Sequence, residues 1–135
     1  MTATTSPQAT DTVRAGFDAV AAKDLAAFAA VFHPDATWNH RNDDRLGGIH
    51  AGVDAILAFL RDSIQLTQGT LSAIPHVFMP DESGHVAVLT QVSGTRPDGR
   101  TFDDTQVVLF TLDGDRIRSV DQFIGNPAAV TAFWA

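Results

Sequence analysis

The chain has 135 residues, a formal net charge of −7, five histidines, no cysteine and no tyrosine. Without cysteine, disulfides, thiolate metal sites and cysteine nucleophiles are excluded. The acidic balance and nine scattered basic residues argue against a nucleic-acid surface, which needs clustered Lys and Arg. No basic leader precedes an apolar run and no apolar run approaches membrane-spanning length, so the expectation is a cytoplasmic protein with no membrane partner. That length suits one domain, residues 1–135, able to enclose a ligand cavity.

Residues 1–6 are small and polar, and read as a frayed end. From Pro7 to Ala22, Val13, Phe17 and Val20 recur at helical spacing. Asp24 is placed to cap a short second helix through Leu25, Phe28, Val31 and Phe32, ended by His33-Pro34. Ala36 to His40 reads as a strand with Ala36, Trp38 and His40 on one face, and residues 41–52 read as loop. Val53 to Leu66 carries a stripe of Val53, Ile56, Leu57, Leu60 and Ile64, predicting a third helix. Thr70 to Met79 is a strand whose Pro75 implies an edge position or a bulge.

His85 to Ser93 is the next strand, and Pro97-Asp98-Gly99 turns the chain. Pairing Arg96 with Arg100 sets Val92 opposite Asp104, Thr90 opposite Gln106, Val88 opposite Val108 and Val86 opposite Phe110. Asp113-Gly114 then reads as a two-residue hairpin loop. That loop sets Leu112 opposite Asp115, Phe110 opposite Ile117, Val108 opposite Ser119, Gln106 opposite Asp121 and Asp104 opposite Phe123. On this register Phe102, Val108, Phe110, Ile117 and Phe123 face the core, and Asp121 faces inward with Gln106 and Asp104 beside it. Arg116, Arg118 and Gln122 face out. The outer face keeps Leu89, Val107, Leu109 and Val120, an expected homodimer surface.

The order of helix, short helix, HPDATWNH, glycine-containing loop, helix from Gly52-Val53-Asp54-Ala55-Ile56, meander ending DGDRIRSVDQF and closing NPAAVTAFWA resembles the nuclear-transport-factor-2-like superfamily. Within it, the chain is most similar to the SnoaL-like polyketide cyclase and ketosteroid isomerase-like group. The resemblance implies an α+β fold: a cone-shaped, curved antiparallel sheet wrapped around three helices, with a ligand pocket at the open end, usually in a homodimer. Two site positions follow from it. The Asp35-Ala36-Thr37-Trp38-Asn39-His40 segment places His40 where isomerase-like members carry a proton-shuttling carboxylate. Asp121 falls at or within a residue of the acid that cyclase-like and epoxide-hydrolase-like members carry on the last strand. Absence of tyrosine removes the isomerases' oxyanion donor, and an Arg between two pocket acids, as epoxide hydrolases need, is not complete here.

Asp121 is either a buried carboxylate satisfied by Gln106, an indole or the backbone, or an acid/base group with its pKa raised by an apolar surround. Its position on the last strand favours the second. His40 is either a loop-edge histidine or a catalytic partner. The expectation is therefore a cofactor-independent acid/base enzyme of isomerase, cyclase or dehydratase (lyase) type. Its catalytic pair would be Asp121 and His40, with Trp38, Gln106, Asp104, Phe123, Val108 and Phe17 binding a small apolar organic substrate. The alternatives are a non-catalytic small-molecule binding protein of the same fold and an epoxide hydrolase-like enzyme. No metal-ligand spacing, phosphate-binding glycine loop or nucleophile elbow is present.

Overall fold

A computed structural model describes residues 7–135, so the expected fraying of residues 1–6 lies outside the described residues. The elements run α1 (Pro7–Ala22), α2 (Leu25–Ala30), β1 (Phe32–Arg41), β2 (Gly48–Ala51), α3 (Val53–Leu66), β3 (Ser72–Pro80), β4 (His85–Thr95), β5 (Thr101–Asp113), β6 (Arg116–Phe123) and α4 (Pro127–Trp134). Helices α1 and α3 match the periodicity of their apolar stripes. Asp24 caps α2 as expected, its Oδ1 accepting from the Ala27 N–H at 3.0 Å. The chain turns to strand already at Phe32, before the His33-Pro34 step. Among the described residues no helix is long and apolar enough to cross a membrane.

The six strands form one curved sheet in the order β2-β1-β6-β5-β4-β3. β3 to β6 make an antiparallel meander, and β1 joins β6 in parallel. That parallel pairing, and strand β2 within the segment read as loop, are features that the local sequence pattern did not carry. Pro75 sits on the edge strand β3, where the register slips between Pro75 and Val77. A proline there breaks the ladder at little cost, because the edge has no second neighbour.

The β4–β5 register is the expected one: Val92 faces Asp104, Thr90 faces Gln106, Val88 faces Val108 and Val86 faces Phe110. The β5–β6 register differs from expectation. The turn is Gly114-Asp115, with Asp113 paired to Arg116 and Leu112 to Ile117. Gly114 has φ 64° and Asp115 is not in the positive-φ region, the single positive φ of a II′ turn rather than the two of a I′ turn. The register then shifts between Leu112–Ile117 and Thr111–Ser119, leaving Arg118 as an extra residue. Beyond this bulge Phe110 pairs with Val120, Leu109 with Asp121, Val108 with Gln122 and Val107 with Phe123. One extra residue exchanges the faces of everything after it. Ile117, Val120 and Gln122 are buried, whereas Asp121 is half-buried on the outer face and Phe123 is 43% exposed.

Helices α1, α2 and α3 pack on the inner face. Val13 and Phe17 of α1, Phe28 of α2 and Ile56 and Leu60 of α3 join Val86, Val88, Val108, Phe110 and Ile117 in one core. Phe17 meets Phe110 edge-on at 5.8 Å between ring centres. The fourth helix closes one end of this core. Asn126 caps it through Oδ1 to the Ala129 N–H, and Pro127 opens it. At its other end Arg96 and Arg100 donate to the carbonyls of Phe133 (2.9 Å) and Ala135 (2.8 Å), which lack helical partners. Val130, Phe133 and Trp134 thereby pack on Phe102 and Phe59.

Asp104 secures the turn into α4. Its Oδ2 accepts from the Gly125 N–H at 3.0 Å and its Oδ1 from the Asn126 N–H at 2.9 Å. The chain passes so close that a Cβ on Gly125 would overlap the Thr105 carbonyl oxygen and stand 3.0 Å from Asp104 Oδ1. Gly125→Ala should therefore cost about 2–3 kcal/mol in urea denaturation, the upper range of overpacking. A loss below about 0.5 kcal/mol would mean that the turn has slack.

Candidate active site

Between the inner sheet face and the helices lies a cavity of about 90 Å³. Its walls are mostly apolar, with Phe17 and Phe28 from the helices, Val108 and Phe110 from β5, and Trp134 from α4. Of the expected site residues, Trp38, His40, Gln106, Val108 and Phe17 line it. Asp104, Asp121 and Phe123 do not. Asp104 is buried on the inner face, as its register demands, but its oxygens are turned to the β6–α4 turn and to Gln106. Asp121 accepts from Arg41 at 2.8 Å on the outer face, where Arg41 also lies over the Phe123 ring at 5.1 Å. The bulge at Arg118 is the reason for both of the outward placements. The inward Asp121, and with it a carboxylate on the cavity wall from β6, is corrected to Gln122.

His40 is brought to the wall by two pairings. Parallel pairing of β1 with β6 sets His40 opposite Gln122, and antiparallel pairing with β2 sets it opposite Gly48. It is 2% exposed. Its Nδ1 is 2.9 Å from Gln122 Oε1 and its Nε2 is 2.9 Å from Asp44 Oδ2. The Phe59 ring lies against it, with 5.7 Å between ring centres.

A chain of hydrogen bonds runs from this ring along the wall. Trp38 Nε1 donates to Gln122 Oε1 at 2.9 Å, Gln122 Nε2 donates to Gln106 Oε1 at 2.8 Å, and Gln106 Nε2 donates to Asp104 Oδ2 at 3.1 Å. The direction is set from both ends. An indole N–H can only donate, and Asp104 already accepts from two backbone N–H groups. Both amide orientations follow, so Gln122 offers His40 an oxygen and Nδ1 must carry a proton.

Asp44 settles the other nitrogen. Burial pushes its carboxyl upward, but the hydrogen bond from His40, the charge of His40, Asn42 and the Leu46 N–H together outweigh that and hold it below the usual value. Its oxygens accept from Asn42 Nδ2 at 2.7 Å and from the Leu46 N–H at 2.8 Å. An ionised Asp44 can only accept, so Nε2 carries a proton too. Both ring nitrogens of His40 thus meet acceptor oxygens, the pattern that suits a protonated ring beside a buried carboxylate.

Asp44, Gln122, Leu46, Phe59, Ser63 and Thr90 were not among the expected site residues. The signal for Asp44 was available as a His-x-x-x-Asp spacing from His40, but Asp43 stands beside it with the same composition. The segment 42–47 is held to α4, since Asn42 Nδ2 and Thr131 Oγ1 lie 3.1 Å apart and Thr131 donates to the Asp43 carbonyl. Among the described residues no group of three or more His, Asp or Glu could hold a metal ion.

Two outcomes follow. Asp44→Ala leaves a buried imidazole without its counter-charge and should cost about 3 kcal/mol in denaturant melts at pH 7. Because Asp44 titrates in the fold below 3.8, the pair stabilises the protein above that pH and loses this contribution as pH falls through the lowered value. The difference between wild type and Asp44→Ala should shrink as pH drops below about 4; a constant difference would contradict an ionised Asp44. Asp121→Asn, by contrast, touches only a surface pair and should change stability by less than about 1 kcal/mol. A loss of several kcal/mol there would restore Asp121 to the interior.

A family model for the SnoaL-like domain matches residues 13–120. The chain is 31% identical over 125 residues to the uncharacterized protein Rv0034 of Mycobacterium tuberculosis, covering 93% of this chain and 95% of that one. Bal32a, from a soil-derived mobile gene cassette, superposes with a TM-score of 0.92 at 24% identity, covering 96% and 98% of the two chains. An NTF2-like protein of unknown function from Burkholderia pseudomallei gives 0.84 at 22% identity over 95% and 98%. A putative polyketide cyclase from Sinorhizobium meliloti, protein SMa1630, gives 0.70 at 28% identity over 83% and 93%. With its NTF2-like fold and a family match spanning most of its length, the chain belongs to the SnoaL-like domain family.

Proposed function

We propose that this protein is a cofactor-independent enzyme that moves protons on a small, mostly apolar organic molecule held in the cavity, with His40 as its acid/base group. One observation carries the reading. His40 is the titratable side chain among the described residues that line the cavity. The likeness to a chain named as a putative polyketide cyclase supports the same class of chemistry.

In this reading a substrate oxygen takes the place of Gln122 Oε1 against Nδ1. The Nδ1–H bond breaks and an O–H bond forms, which leaves a protonated carbonyl. His40 is then neutral, with its Nε2–H still donated to Asp44 and a lone pair on Nδ1. That lone pair takes a proton from the adjacent carbon; the C–H pair becomes a C=C bond, the C=O π pair moves to the protonated oxygen, and an enol is left beside a recharged His40. Asp44 is a positioning residue: it holds the ring and favours the charged form. Isomerisation, aldol-type cyclisation and dehydration all need such a step. An Asp121–His40 pair is no part of it, since Asp121 lies on the other face of the sheet.

A second reading, a non-catalytic binding pocket, is favoured by the two partners that His40 already has at rest. The epoxide hydrolase-like reading finds no support, because no Arg, Asp or Glu is among the described lining residues. Deuterium exchange separates the first two. Single-ring ketones incubated with the protein in D₂O should exchange their α-hydrogens faster than in buffer, followed by proton NMR. His40→Gln should slow that exchange by about 100-fold or more. Exchange at the buffer rate across the ketones, or equal rates for both proteins, would decide for the binding pocket.

A further inference from the structure

The proposed function leaves the ligand undefined, and the cavity wall narrows it by charge, hydrogen-bonding capacity and size. The wall carries no net charge: His40 is matched by Asp44, and no Lys, Arg, Asp or Glu is among its described residues. A charged ligand entering it would give up hydration without a counter-ion.

The polar groups that remain available are neutral. Gln122 Oε1 is taken twice, by Trp38 and His40, but Gln106 and Gln122 each use one of two amide hydrogens on the chain. Gln106 Oε1 accepts once and has a second lone pair. Ser63 and Thr90 donate their hydroxyl hydrogens to the carbonyls of Phe59 and Val88, leaving oxygen lone pairs. The sheet wall thus offers spare donors and acceptors around Gln106 and Gln122, and the helix side is apolar apart from Ser63.

Size completes the description. An apolar cavity of about 150 Å³ takes benzene, so one of about 90 Å³ admits a single ring at most. We infer that the cavity takes a neutral ketone or alcohol with no more than one ring, its apolar part among Phe17, Trp38, Phe59 and Phe110 and its oxygen against the amides of Gln106 and Gln122, next to His40 Nδ1. This deepens the proposed function and rests on it for the cavity's being the working site, but it concerns binding and needs no turnover.

The test uses the full chain labelled with ¹⁵N. Both tryptophans, Trp38 and Trp134, line the cavity, so their indole N–H signals report occupancy. Acetophenone should shift them saturably. Ethylbenzene, the same shape without the oxygen, should bind about two- to tenfold more weakly, the value of one hydrogen bond. Benzoate and protonated benzylamine should bind at least about 50-fold more weakly. Gln106→Met should bring acetophenone and ethylbenzene within about twofold while leaving benzoate excluded. Should that variant not fold, the four probes on the wild type decide alone. Either ion binding as tightly as acetophenone, equal binding of acetophenone and ethylbenzene, or no saturable shift from any probe would overturn the inference. Selective acetophenone binding without His40-dependent exchange would instead keep the ligand class and reject the enzyme.

Discussion

One extra residue in β6 decides what the cavity contains. Without the bulge at Arg118, strict alternation from the Leu112–Ile117 pair would carry Asp121 to the inner wall opposite Val108, a carboxylate among mostly apolar side chains. With it, Ile117 and Val120 both turn inward and Gln122 follows. The parallel pairing of β1 then brings His40 level with that amide. Asp121 is sent to the solvent side, where Arg41 meets it. The bulge thus sets a neutral group that completes a hydrogen-bond chain where a carboxylate would otherwise be buried.

That chain explains why so polar a row is tolerated beside Phe17, Phe28 and Phe110. Every member has a partner, and the ends admit one direction only: an indole that donates and a carboxylate that accepts. Reversing either amide would set two donors or two acceptors against each other, a loss of about 1–3 kcal/mol per unsatisfied buried group. The same row ties local anchors together. Asp104 fixes the turn into α4, α4 holds the 42–47 segment through Thr131, and that segment supplies Asp44 to His40. A site built from four separate stretches of chain is therefore one connected unit.

Much of this was legible before the fold. Pro97-Asp98-Gly99 and the alternation on either side specify the β4–β5 register to the residue, and with it the inward Gln106 and Val108. Ala36, Trp38 and His40 share a face by period alone, and Phe17 sits on the apolar stripe of α1. The β6 register was not legible from its turn, because bulges at non-glycine positions leave no local mark. A signal lies further along the strand: Ile117 and Val120 are three apart, and no unbroken strand sets both on one face. An Asp113-Gly114 loop and the observed Gly114-Asp115 turn both place Ile117 inward, so the turn alone does not expose the conflict. Asp44 was harder, since only the tertiary position of residues 42–47 separates it from Asp43.

Two acceptor oxygens at the His40 ring call for a proton on each nitrogen, and nuclear magnetic resonance reads those protons directly. Long-range ¹H–¹⁵N correlation through the His40 ring at pH 7 should give both nitrogens the shifts of protonated imidazolium. In Asp44→Asn, where the counter-charge is gone, one of them should move to the value of a nitrogen bearing a lone pair. A wild-type ring with one unprotonated nitrogen at pH 7 would contradict the buried ion pair, and with it the acid that the cavity is proposed to use.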